Sequence, residues 1–419
     1  MKAWWKSLAP LRRRLILIGA GLAVFAVAGY TLWAGAAASP GGNTDTAAAK
    51  DQDELAWLRT AGANGTNGTG TPMPQDKLQQ ARQLVEHYSE VNRTLCSYRE
   101  HTRYPGNSRP LAEQNDQMYP NRPVKELRPM HTTDGSTQNN IQIQSSQSRV
   151  YMASGETVNF AISAIDANGA PLPMFVTGGV AHGLALNGAR DIAQVAVDFT
   201  GDGGDGSNGY TASLTPRLTN LAGFNGTIRV DVSYNVGDKS GTSSYDVIYS
   251  PSTPANWNGP IHEAVENGSL VFHLQANVLT PGRYVVSGRV DDARGRPVAL
   301  ATFNDMLGQG TQDVKLTVFG KLLTDLAPSF PLTLRDVDGY LLKENTDPDR
   351  LLLPRLEGNV YTSKDYPAGA FSDAEWESEE RSRYLTELGK DVAEARDALH
   401  QFDPALEQQS VARERCDVR

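Results

Sequence analysis

The feature that most restricts this chain is an alternation of apolar and polar residues in short runs across its middle. IQIQ at 141, RVYMA at 149, ETVNFAISAID at 156, IAQVAVDF at 192, GYTASLTP at 209, GTIRVDVSYNV at 226 and SSYDVIYS at 243 share the pattern, with Gly, Asn, Asp and Pro between them. A period of two puts alternate side chains on one face of a strand, so each run can bury one face and leave the other to water. Several such strands over about 110 residues suit one antiparallel sandwich. A second set follows: SLVFHLQANV at 269, GRYVVSGRVDD at 282, PVALATFND at 297, QDVKLTVFGKLL at 312 and FPLTLRDVDGYLLKEN at 330. The 39 glycines and 23 prolines agree with a turn-rich β protein rather than a helix bundle. PSTPANWNGP, 251 to 260, reads as a hinge or linker between the two sets.

Two helical patterns bracket the strands. In QDKLQQARQLVEHYSEVNRTLCSYR, Leu78, Ala81, Val85, Tyr88, Asn92 and Leu95 step by three and four and share one stripe. Near the end, Leu385, Leu388, Val392, Ala395, Leu399 and Phe402 make a second seam. Ser372 with Glu375 is expected to form a capping box at its start, and Asp403-Pro404 to end it. Seams this narrow predict helices packed on each other or on a β domain.

The N-terminus carries Lys2, Lys6, Arg12, Arg13 and Arg14 ahead of a charge-free run from Leu15 to Ala38. About 20 apolar residues span a bilayer, and the basic flank marks the cytoplasmic side, so residues 15–37 are read as a transmembrane anchor in the lipid bilayer. The small residues at 34 to 38 also suit signal cleavage, which is the alternative; either reading exports the rest of the chain. Export places Cys96 and Cys416 in an oxidising compartment, where a bridge between them would restrain the unfolded chain by roughly 4 kcal/mol in the loop-entropy account. With 48 acidic and 39 basic side chains the net charge is −9, which argues against a nucleic-acid partner. At 419 residues, two or three domains are expected. The predicted order is a basic stub and anchor over 1–38, a Gly/Asn/Thr/Pro tether over 39–74 and an amphipathic helix over 75–102. A first sandwich with an extended lead-in over 103–250, a second over 251–367, and a C-terminal helix and tail over 368–419 complete it.

The stretch DFTGDGGDGSNGY, 198 to 210, is the strongest candidate for a site. Asp198, Asp202, Asp205 and Asn208 have the oxygen ligands calcium takes, but not the spacing of an EF-hand, and Tyr210 stands where a carboxylate would close the loop. A glycine-rich connection whose aspartates cap their own turns is the main reading, with calcium the alternative and no other cofactor expected. RVDDARGRP at 289 reads as a charged hairpin turn, and Asp338-Gly339 as another within RDVDGYLLKENTDPDR, whose alternating charges suggest ion pairs on a solvated face. No G-x-S-x-G elbow, P-loop or strand-following GxGxxG occurs; HEAVE at 262 lacks the second histidine of a zincin, and Lys239-Ser240-Gly241 has no SxxK partner. His182 reads as a sheet or loop residue rather than a base. Tyr210 and Trp257 are candidate contacts, Trp257 equally an interdomain plug.

The block from Pro281 to Pro367, through ALATFND, VKLTVFGKLL, FPLTLRDVDGYLLKE and DPDRLLLPRLEG, resembles the choice-of-anchor X family of bacterial envelope proteins. The first β set is similar to a module that often precedes it, through GDG and Tyr210-Thr211. The resemblance implies immunoglobulin-like domains on exported, often surface-attached proteins, with no catalytic residues and no settled ligand. The fold class expected is therefore mainly β: two tandem immunoglobulin-like sandwiches flanked by α-helices, with one N-terminal transmembrane helix. The function expected is non-catalytic, a single-pass protein of the bacterial inner membrane presenting its modules in the periplasm to envelope protein partners. The alternatives are release after signal cleavage, carbohydrate or peptidoglycan binding, a calcium-stiffened stalk and, least favoured, a hydrolase.

Overall fold

The computed structural model describes residues 74–184, 193–201, 209–414 and 416. Helix α1 (Gln75–His101) opens the described chain, followed by β1 (Ser108–Pro110). The first strand set is β2 (Val124–His131), β3 (Thr137–Gln147), β4 (Tyr151–Ala153), β5 (Val158–Asp166), β6 (Pro171–Leu172), β7 (Met174–Gly183), β8 (Gln194–Ala196), β9 (Thr200–Gly201), β10 (Gly209–Leu214), β11 (Gly226–Val236) and β12 (Lys239–Ser250). The second is β13 (Ala255–Trp257), β14 (His262–Glu266), β15 (Ser269–Val278), β16 (Gly282–Asp291), β17 (Pro297–Leu307) and β18 (Gly310–Val318). Helix α2 (Gly320–Leu326) precedes β19 (Thr333–Leu342), β20 (Arg350–Leu352) and β21 (Leu356–Thr362), and α3 (Glu379–Phe402) and α4 (Pro404–Arg413) close the order. The protein is mainly β. Among the described residues no helix is long and apolar enough to cross a membrane; the apolar run at 15–38 lies outside the described residues.

Two compact units form: the described residues up to Arg93 together with those from Gly389, and Thr94–Leu388. In the first unit, Ala81, Val85 and Tyr88 of α1 bury with Ala395 and Leu399 of α3 and Leu406 of α4. The three-four stepping on α1 and α3 makes this core, since each stripe is too narrow to be buried except against another. Asn92, on the same stripe, is buried as a polar residue and donates its amide to the Glu414 carbonyl at 2.5 Å. A short helix over 404–413 follows the predicted stop, because Asp403 accepts from the Ala405 amide and Pro404 needs no partner at the first helical position.

In the second unit, the first strand set builds two sheets, β2-β3-β5-β10-β9 and β4-β12-β11-β7-β8, with β6 beside β5. Their inward residues share one core, including Phe160, Ile162, Val230, Val232, Tyr245 and Tyr249. The second set builds β17-β16-β19-β20 and β13-β15-β14, with β21 on β19 and β18 on β15. Phe272, Leu274, Tyr284, Val286, Leu316 and Leu334 lie in its core. The alternation seen in the sequence is the cause in both: β11 buries every second residue, and its pairing with β12 runs without a shift from Gly226↔Tyr249 to Val236↔Lys239.

Four local expectations need correction. The lead-in does not belong to the first sandwich: β1 pairs with β17, Ser108↔Ala301 to Pro110↔Ala299, so residues 108–110 extend a sheet of the second. Pro251–Pro260 is not a free linker, because β13 pairs with β15 and Trp257 Nε1 donates to the Pro354 carbonyl. Asp338-Gly339 is no turn but the interior of β19, opposite Ser287 and Val286, where a Cβ on Gly339 would stand 2.8 Å from the Val285 carbonyl. The capping box does not form. Glu375 pairs with Arg99 and Arg381, the Ser372 amide donates to the Gly268 carbonyl, and α3 starts only at Glu379, with Ser378 Oγ accepting from the Arg381 amide.

Candidate functional site

Of the predicted calcium ligands, Asp198 is exposed between β8 and β9, while Asp202, Asp205 and Asn208 lie outside the described residues. Among the described residues no group of three or more His, Cys, Asp or Glu is arranged to hold a metal. Cys96 and Cys416 are both disulfide-bonded. Tyr210, half-buried, packs on the first core, and Trp257 on the second. His182, on β7, lies 3.7 Å from Asp231.

The two acidic stretches of the second sandwich form a connected ionic lattice. Arg289, only 1% exposed, donates to Asp338 at 2.5 Å, to the Asp336 carbonyl at 2.8 Å and to both the carbonyl and the side chain of Gln117. Arg335 joins Asp291 and Asp336 and also reaches the Met118 carbonyl. The segment before β2 is thereby fastened to the second sandwich by guanidinium groups satisfied on several sides, the condition under which a buried charge is tolerated. Asp292 caps the β16–β17 turn. Burial opposes its ionisation, but the amide and guanidinium of Arg296 and the amides of Arg294 and Ser329 outweigh it and hold its pKa down to about 2.

One histidine arrangement escaped the sequence reading because it depends on cross-strand register. His262 of β14 faces His273 of β15, and the rings stack at 4.6 Å. His273 Nδ1 lies 2.8 Å from Asp313 and Nε2 3.0 Å from Glu266, which Lys315 also holds. With both ring nitrogens occupied, His273 has none left to take a proton from a substrate, so the cluster reads as a structural clamp. Glu263, on the other face of β14, is likewise taken up, by the Tyr361 hydroxyl and the Lys364 amide.

An open site lies in the first sandwich. A groove of about 460 Å³ runs between β2, with Val124, Glu126 and Arg128, and the sheet carrying Arg229, Ser244, Tyr245 and Asp246; Ser145, Ser146 and Gln147 of β3 form its floor. A second hollow of about 410 Å³ shares Glu126, Ser145 and Ser146 on the other side of β2 and reaches Leu127 and Tyr210. Leu127 is 58% exposed there. Arg229 grips Asp246 through two 2.8 Å hydrogen bonds, which hold the Asp246 carboxyl below its ordinary range. Tyr245 donates its hydroxyl to the Ala161 carbonyl, and burial pushes its pKa up. The walls offer hydroxyls, amides and paired charges, with neither a free base nor an activated nucleophile among these residues. The groove could accept a polar or extended ligand without chemistry.

No known family model matches the chain, and no curated protein matches it. Among solved structures it is similar to a DUF4785 family protein from Legionella pneumophila subsp. pneumophila str. Philadelphia 1, at 14% identity and a TM-score of 0.37, over 53% of this chain and 57% of that one. It is also similar to Escherichia coli alpha-2-macroglobulin activated by porcine elastase, at 13% identity and a TM-score of 0.18, over 50% of this chain and 19% of that one. The chain thus spans little more than half of the first and about a fifth of the second.

Proposed function

We propose that this chain is a non-catalytic, exported envelope protein, held by residues 15–37 in the inner membrane of a bacterium, whose first sandwich binds envelope partners while the second serves as a fixed mount. Both sandwiches are taken as immunoglobulin-like, and the resemblance of Pro281–Pro367 to choice-of-anchor X modules supports the envelope setting. The bonded state of Cys96 and Cys416 suits an oxidising compartment. The observation that carries the reading is the polar groove beside β2, on a sandwich whose neighbour is closed by buried ionic contacts. Recognition through loops and edges of a rigid sandwich needs no reactive group.

The test uses the full-length chain in the cell. A photo-crosslinker at Ser244, in the groove wall, is expected to trap envelope proteins, while one at Met306 on the second sandwich traps none; protease added to spheroplasts is expected to degrade everything beyond the membrane segment. A chain protected inside the spheroplast, or equal trapping from both positions, would overturn the reading.

A further inference from the structure

The ladder on β12 leaves part of one edge unused. On one side β12 is paired along its whole length with β11. On the other, the bridge Thr132↔Gly241 closes one end, and β4 begins only at Ile248. Among the described residues no strand pairs with Ser243 to Val247 on that side, a gap of five residues, or roughly 17 Å of strand. This gap is the wall of the groove beside β2.

Hydrogen-bond parity fixes which groups point into it. The Ile248 amide donates away from β11 to the Val150 carbonyl, and the Ser240 carbonyl accepts from Thr133 on the same side. In an antiparallel ladder the direction alternates, so the amides and carbonyls of Thr242, Ser244 and Asp246 face the gap. Two of these groups have a protein partner there: the Thr242 amide meets the His131 carbonyl as part of the Thr132↔Gly241 bridge, and the Asp246 carbonyl takes the Gln147 side-chain amide at 3.0 Å, which leaves the Ser244 amide and carbonyl and the Asp246 amide facing the gap. The opposite strand, β2, bears the marks of a protected edge, with Lys125, Glu126, Arg128 and Pro129, whereas TSSYDV over 242–247 has no proline and a single charge.

We propose that this gap is a strand-addition site: an extended segment of another polypeptide, about five residues long, pairs with β12 between Thr242 and Ile248. The proposal rests on the reading of the chain as a binding module and names the partner's chemistry. Inward side chains of the added strand would lie beside Ser243, Tyr245 and Val247 on the core side, which calls for small apolar residues. Outward ones would lie beside the exposed Thr242, Ser244 and Asp246. On that outer face Asp231 and Asp246 outnumber Arg229, so a basic outward residue completes the charge. Main-chain hydrogen bonds would supply affinity and this alternation specificity.

The experiment is residue-resolved hydrogen exchange on the full-length chain in detergent, with a synthetic peptide copying Thr227–Asn235, the strand β12 already accepts on its other side. It alternates Ile, Val, Val and Tyr with polar residues, among them one arginine and one aspartate. In the free protein the amides of Ser244 and Asp246 are expected to exchange at least tenfold faster than those of Ser243 and Tyr245, and the peptide to slow them at least tenfold. A peptide N-methylated at the amides that would face β12 is expected to give no protection, and Ser244→Pro, which removes a gap-facing donor, to abolish the effect of the unmodified peptide. Slow exchange at Ser244 and Asp246 in the free protein, protection confined to other strands, or equal protection by the N-methylated peptide would each overturn the site. If the exchange result fails while Ser244 still crosslinks envelope proteins in the cell, the strand-addition mode is wrong and the binding-module reading stands; if both fail, both fall.

Discussion

The two sandwiches are made from the same alternating pattern yet are finished in opposite ways. The second is closed: β1 from the lead-in lies along β17, β20 and β21 cover β19, and Arg289 and Arg335 draw residues 117–118 against it. One of its ionic contacts reaches inside, with Arg289 1% exposed. In the first, the pair at the groove stays outside, the Arg229 and Asp246 side chains being 39% and 47% exposed, and a groove stands open between β2 and β12. An ion pair can be buried among backbone carbonyls or kept in water, and the Arg289 and Arg229 pairs are one of each.

That contrast predicts unequal costs for the same kind of lesion. Arg289→Ala is expected to destabilise by about 3–5 kcal/mol, since Asp338, the Asp336 carbonyl and Gln117 all lose their donor; thermal unfolding measures it, and a change within error would show that the buried lattice contributes nothing. Gly320→Ala probes the same closure sterically. A Cβ there would stand 2.1 Å from the Gly268 carbonyl and 2.8 Å from that of Ser372, so a loss of about 1–3 kcal/mol is expected by urea unfolding.

Acid titration probes the Asp292 cap. Its folded pKa of about 2 lies below the ordinary 3.8, so its contribution is present above 3.8 and is lost as pH falls toward 2. The stability gap between wild type and Asp292→Asn should narrow over that window, and a gap constant with pH would remove the carboxylate from the account. The smallest effect is expected in the first sandwich: Arg229→Ala should cost under about 1 kcal/mol, because the pair it breaks is exposed, and a loss matching that of Arg289→Ala would dissolve the comparison.

What was legible in the sequence followed periodicity. The β11 alternation and the stripe Ala81, Val85, Tyr88 and Asn92 are local patterns, and their burial follows from them. Signals that had to compete with distant partners misled. Ser372 and Glu375 have the spacing of a capping box, but Gly268 takes the one and Arg99 with Arg381 the other. Asp338-Gly339 has the residues of a turn, but a close strand crossing needs that glycine just as much. The groove was not legible at all, since it arises from where β4 stops pairing and where Thr132 bridges to Gly241, and no residue type announces either. Arg289 gave no sign of burial either, because its partners come from Gln117 and β19.

The placement of β1 has a mechanical consequence. Because Ser108–Pro110 lies in the sheet that resumes only after residue 251, the first sandwich is an insertion into the second, entered and left beside the same module. Tension applied to the chain on either side of the pair would be carried from β1 through β17 and the strands behind it, bypassing residues 124–250. The inserted module lies outside the load path, so pulling on the second sandwich need not deform the groove.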